Sequence, residues 1–171
     1  TNAFNGILFI DYKGSLYMSS SSAISSSAYG STTYTATVNS IVATGQGLIH
    51  PNDDILYIPV GNKIYSNNAT TSFSLVLTLP SNLTITSITD YGSKLAIAAN
   101  NTFNGMPSKI YIWDRNTTLA QIPDILDWGT GTIKWIESIE GYLVGCSQIS
   151  ATSSNFNDRM VFRYYAGGSP V

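Results

Sequence analysis

Residues 84–114 decide the fold. They read Thr84-Ile85-Thr86-Ser87-Ile88-Thr89, then Asp90-Tyr91-Gly92-Ser93, then Lys94-Leu95-Ala96-Ile97-Ala98-Ala99, a polar loop through Ser108, and Lys109-Ile110-Tyr111-Ile112-Trp113-Asp114. The first run alternates polar and apolar residues, as a half-buried strand does. Asp90 to Ser93 is a turn in which Gly92 supplies a left-handed φ. The second run, of small and branched residues, reads as a second strand, and the third, with Tyr111 and Trp113 among branched residues, as a third. Asn116-Thr117-Thr118 turns the chain, and Leu119 to Ile122 begins a short fourth strand that ends at Pro123, a residue that cannot donate to a ladder.

Outward from this stretch the plan recurs. Ser40 to Ile49, Ile55 to Val60, Lys63 to Ser66 and Phe73 to Leu79 copy it before residue 84. Thr132 to Ile139, Tyr142 to Ile149 and Arg159 to Tyr165 copy it after residue 130. In the first repeat, Ile7 to Asp11 reads as a second strand, Ser15 to Ser19 as a third and Thr33 to Val38 as a fourth. The Ser-rich run Ser19 to Ser27 reads as a flexible outer loop. An apolar pair ending in an aromatic marks each repeat, at Tyr17, Tyr65, Tyr111 and Phe162. The spacings are 65−17 = 48, 111−65 = 46 and 162−111 = 51. A period near this length in an all-strand chain points to propeller blades of roughly 40–50 residues. The four aromatics are expected to share one environment.

The sequence therefore predicts an all-β fold, a β-propeller segment of about 3.5 four-stranded antiparallel blades. The repeats run over about 1–39 (partial), 40–82, 83–130 and 131–171 (partial) of one domain. An open arc leaves strand edges bare, which sheets avoid. The expectation is a segment of a larger propeller, or one that partner chains complete. No stretch has a helical period, although Asp124 to Trp128 could form a single turn.

The third repeat resembles a WD-repeat blade. The resemblance rests on the Asp and Gly of Asp90-Tyr91-Gly92-Ser93 between the first two strands, and on Trp113-Asp114 closing the third. The Gly-His pair of that family is absent, since the one histidine, His50, stands before Pro51. A looser likeness, carried by the Ser, Thr and Asn content, is to propellers in tail proteins of bacterial viruses. It implies a structural role in a virion or other extracellular assembly.

Composition excludes several functions. Charged residues make up 11% of the 171 positions, with a formal net charge of −2, about half the usual charged content. No Lys/Arg stripe marks a nucleic-acid binder. No apolar run approaches the roughly 20 residues of a membrane helix. Cys146 is the one cysteine, which rules out an intrachain disulfide and reads as a small buried hydrophobe.

Catalytic and metal constellations are weak. His50 would be the base of any Ser–His pair, yet at a strand end before a turn it reads as structural. Asp53 with Asp54, and Asp124 with Asp127, read as turn or capping acids rather than a glycosidase pair. Ser87 to Gly92 lacks the Ser-to-Asp spacing of a sialidase box. Asn155 to Asp158 has one carboxylate and reads as a hairpin loop rather than a calcium site. Sequons at Asn68, Asn82, Asn100 and Asn116 occur about as often as chance predicts. No cofactor or metal is implied.

A recognition surface is the better expectation. The second-to-third-strand loops Asn100 to Ser108 and Ser150 to Asp158 are long, and share one end of a propeller with the inter-blade connections. Phe103, Met106 and Phe156 have no partner in the repeat pattern. Aromatic loop tips on a rigid scaffold suit binding. The expected function is a non-enzymatic structural or interaction module in an extracellular or virion assembly. Its partners would be other chains or domains completing the propeller. A glycan-binding propeller is the first alternative, and a fragment of a propeller enzyme the second.

Overall fold

The computed structural model describes residues 4–31, 33, 35–39, 41–68, 72–103, 107–116, 124–150 and 159–166. Among these residues fifteen strands form four antiparallel sheets, here called blades A to D. Blade A holds β1 (Phe4–Tyr12), β2 (Ser15–Ser20), β3 (Ala23–Ala28) and β4 (Thr35–Asn39). Blade B holds β5 (Leu48–His50), β6 (Ile55–Val60), β7 (Lys63–Asn67) and β8 (Ser74–Thr78). Blade C holds β9 (Leu83–Tyr91), β10 (Lys94–Asn101), β11 (Lys109–Trp113) and β12 (Asp124–Asp127). Blade D holds β13 (Thr132–Ile139), β14 (Tyr142–Ile149) and β15 (Arg159–Tyr165). Within every sheet each strand pairs with the next in sequence. This is the all-β propeller segment expected.

Each blade buries its two faces differently. Side chains alternate across a strand, so residues two apart share a face. In β10, Leu95, Ile97 and Ala99 pack toward blade B, whereas Ala96 and Ala98 pack toward blade D. Three apolar layers follow. Leu8, Tyr17 and Ile24 meet Leu56 and Ile58 between A and B. Tyr57, Ile64 and Leu77 meet Leu95, Ile97 and Tyr111 between B and C. Ala96, Ile110 and Ile112 meet Ile133, Ile136 and Leu143 between C and D. Gly145 opens a slot in the last layer. A Cβ there would stand 3.0 Å from both the Trp128 ring and Ile136, so the missing side chain is what lets Trp128 lie buried against β14.

The first strand of blade C, β9, lies beside β13 of blade D and beside β5 of blade B without a ladder. Hydroxyls span the gap instead. Thr86 Oγ1 donates to Ile133 O at 2.9 Å, Ile136 N donates to Ser87 Oγ at 3.1 Å, and Ser138 N to Thr89 Oγ1 at 3.3 Å. Thr44 Oγ1 donates likewise to Ile85 O at 2.7 Å. The polar half of the Thr84 to Thr89 alternation is thus used between blades, giving buried backbone groups partners where sheet pairing cannot.

Three sequence expectations are corrected. Ala23–Ala28, inside the Ser-rich run, is strand β3 rather than a loop, so β1 is a first strand and blade A has four. Ser25 and Ser27 are buried. A strand whose buried positions include serines shows no apolar alternation to read. Asp124–Asp127 is strand β12, pairing Ile110 with Leu126, not a helical turn or a capping loop. Finally, the four aromatics do not share an environment. Tyr65 and Tyr111 are in register, opposite Ile58 and Ile97. Tyr17 lies on a second strand, and Phe162 is one residue out of step, opposite Cys146. A one-residue slip moves a side chain to the other face.

Candidate functional site

The two ends of the arc differ in chemistry. One end carries the second-to-third-strand loops and the inter-blade connections. There Thr102 donates from N at 2.8 Å and from Oγ1 at 3.1 Å to Asn82 O. Phe103 N donates to Asn101 Oδ1 at 3.0 Å. These bonds fix the backbone under Phe103, whose ring is 64% exposed. Of the predicted contact residues, Phe103 is an exposed tip, while Met106 and Phe156 lie outside the described residues.

The same end is pinned by Asn100, which sequence reasoning treated only as a sequon. Its Oδ1 accepts from Ile133 N at 2.7 Å and from Ser108 Oγ at 2.8 Å. Its Nδ2 donates to Ile133 O at 2.9 Å and Thr86 Oγ1 at 3.0 Å. The amide thus grips both sides of one residue's backbone in the next blade. Asn100 is buried, so its nitrogen is occupied and closed to glycan attachment. The signal for it was faint: a polar residue where β10 should still be apolar.

The opposite end holds the ionisable groups. The turn between β5 and β6 reaches both neighbouring blades. Toward blade A, Tyr12 OH donates to Asp54 O at 2.6 Å and Lys13 Nζ pairs with Asp54 at 3.1 Å. Toward blade C, Arg115 forms an ion pair with Asp53 and donates from Nε to Ser93 O at 3.0 Å. Asp53 also caps its own turn, accepting from Ile55 N at 3.2 Å. The adjacent acids are turn and bridging groups, the role their position predicts.

His50 sits beneath this turn with no exposed surface. Its Nδ1 accepts from Asn52 N at 3.3 Å, and Nε2 lies 3.2 Å from Lys94 O in blade C. An acceptor at Nδ1 and a donor at Nε2 define the neutral imidazole. Burial, the largest influence, lowers its pKa below the ordinary value despite the Lys94 carbonyl. The ring stacks edge-on against Tyr57, which meets Trp113 the same way. His50 is a staple between blades B and C, with neither nitrogen free to act as a base. Among the described residues no group of three or more His, Cys, Asp and Glu could hold a metal ion. No helix among them is long and apolar enough to cross a membrane.

A third surface is lateral. The outer face of blade D exposes Trp135, Ile139, Tyr142, Met160, Phe162 and Tyr164. Trp135 and Phe162 meet edge to face at 6.4 Å, as do Tyr142 and Tyr164. The sequence reading expected Phe162 to share the environment of Tyr17, Tyr65 and Tyr111 and did not single out this face.

No protein-family model matches the chain, and no curated protein matches it. Solved structures do. The extracellular domain of the hybrid two component system BT4673 from B. thetaiotaomicron superposes with a TM-score of 0.62 at 14% identity, over 99% of this chain and 23% of that one. The N-terminal domain of Nup159 gives 0.55 at 12% identity, over 95% of this chain and 45% of that one. The chain thus spans less than half the length of either. At such identity the likeness establishes the fold, a propeller arc, and nothing about ligands.

Proposed function

We propose that the chain is a non-enzymatic structural or interaction module, a β-propeller component of an extracellular assembly. A virion of the phage-tail kind is its most concrete setting. One observation carries the reading. The groups catalysis would call on (His50, Asp53, Asp54, Arg115) are tied into contacts between blades, whereas large apolar side chains stand exposed on a rigid frame. The extracellular domain among the structural neighbours supports the extracellular part of this reading. Partners are other chains or domains that complete the propeller.

A glycan ligand is the second reading, favoured by Phe103, an exposed aromatic on a loop whose base is hydrogen-bonded. Screening the purified chain on a glycan array and against chromogenic ester, phosphodiester and glycoside substrates tests both. The module reading expects no turnover. Turnover by the purified chain would overturn it. Glycan binding lost in Phe103→Ala would select the second reading, and binding unaffected by that change would remove Phe103 from it.

A further inference from the structure

Structural register gives one position per blade. Ile24, Ile64, Ile110 and Phe162 each sit on a third strand opposite the fifth residue of the second, namely Ser19, Pro59, Ala98 and Cys146. All four point toward the side on which the next blade packs. Ile24, Ile64 and Ile110 are 0% exposed, in the A–B, B–C and C–D layers respectively. Phe162 is 66% exposed. Around it, Ile139 and Tyr164 occupy the positions of Tyr91 and Ile112, which pack in the C–D layer. Blade D thus carries a next-blade face on which none of the described blades packs.

Blade A shows the matching half only in part: on its preceding-blade face Met18, Ser25 and Ser27 are buried, and Phe9 and Leu16 are what it offers a partner. Phe9 lies opposite the fourth residue of β2, the position of Ile88 in blade C and Ile136 in blade D. Those isoleucines face the preceding blade and are 8% and 2% exposed, whereas Phe9 is 63% exposed. Leu16 is half-buried, while Leu56, Leu95 and Leu143 at the same position of β6, β10 and β14 are fully buried against the preceding blade.

We infer that the outer face of blade D docks on the preceding-blade face of blade A in a second copy of this chain. This head-to-tail contact repeats the one that already joins A to B, B to C and C to D. A contact between two D faces would pair two next-blade faces, a combination the molecule uses nowhere. A heterologous contact of this kind closes into a ring or runs on, according to the rotation it imposes.

The inference rests on the interaction-module reading, and the two fail separately. Sedimentation equilibrium of the chain from about 1 μM to about 1 mM brackets contacts of ordinary strength. The native chain is expected to gain mass with concentration. Phe9→Ser and Phe162→Ser should each remain monomeric, because every contact needs both faces. Mixed together they should form a one-to-one dimer and nothing larger, through the intact D face of one and the intact A face of the other. Both rings are exposed, so both variants should melt as the native chain does. Tyr164→Ser is the substitute should Phe162→Ser unfold, and Leu16→Ser should Phe9→Ser. A native chain monomeric throughout would overturn the inference while leaving the module reading to its own test. Association of Phe9→Ser at native strength would overturn it in favour of a contact between two D faces.

Discussion

Blade C and blade D are the same sheet in different company. Their second strands begin at Lys94 and Tyr142, and their pairings run in step: Ala96 with Thr89 and Ile112, Val144 with Glu137 and Tyr164. Blade C has a neighbour on both faces and hides Ile110 and Ile112. Blade D has one neighbour and leaves Phe162 and Tyr164 in solvent. Burial is therefore set by what covers each face, and the core lies between sheets rather than within any of them.

The sharpest way to break this comparison is to truncate the two equivalent positions. Ile110→Ala should cost about 3 kcal/mol in urea unfolding, the usual price of a cavity at a fully buried site. An effect below about 1 kcal/mol would show that the layer between C and D is not tightly packed.

The next largest effect concerns the polar link between the same blades. Asn100→Ala should destabilise by about 2 kcal/mol, because it takes the side-chain acceptor from the buried N–H of Ile133 and leaves the C=O of Ile133 and the hydroxyl of Ser108 with their bonds to Thr86 and Gly131 alone. Equilibrium unfolding checks it. Retention of native stability would mean that water replaces the amide.

The third sharpens the contrast at the B–C boundary, where the link titrates. His50 has a lowered pKa in the folded chain. Above about pH 6.5 the ring is neutral in both states and adds no pH dependence. As pH falls through that value the unfolded chain takes up the proton first, so stability declines until the folded-state pKa is passed. Stability of the native chain minus that of His50→Gln should fall on acidification below about pH 6.5. A flat difference would remove His50 from the staple.

The smallest effect completes the pair. Phe162→Ala, measured in dilute monomer, should change stability by no more than about 0.5 kcal/mol, as surface substitutions do.

Much of this was legible in the sequence. The first three strands of blades C and D are where alternation and the Gly92 and Gly141 turns put them, whereas the fourth strand of blade C, Asp124–Asp127, was read as a turn. The aromatic repeat was right for Tyr65 and Tyr111, which occupy one position. It misled at Tyr17 because the serines of β3 hide a strand, and at Phe162 because one residue of slip reverses the face it serves. Phe103 was visible as an apolar residue in a polar loop. His50 was visible as a structural histidine, but the partners of His50 and Asn100 were not, because the backbone of Lys94 and of Ile133 is 44 and 33 residues away. Nor was the bare face of blade D, since exposure depends on neighbours and not on the strand that carries it.

The most direct measurement places a single thiol at each register position in a Cys146→Ser background: Ile24→Cys, Ile64→Cys, Ile110→Cys and Phe162→Cys. Each is then reacted with a thiol-specific reagent in dilute native solution. Serial packing of blades predicts three protected thiols and, at position 162, reaction at the rate of an unfolded control. Four equal rates, or protection at 162 with reaction at 64 or 110, would contradict it.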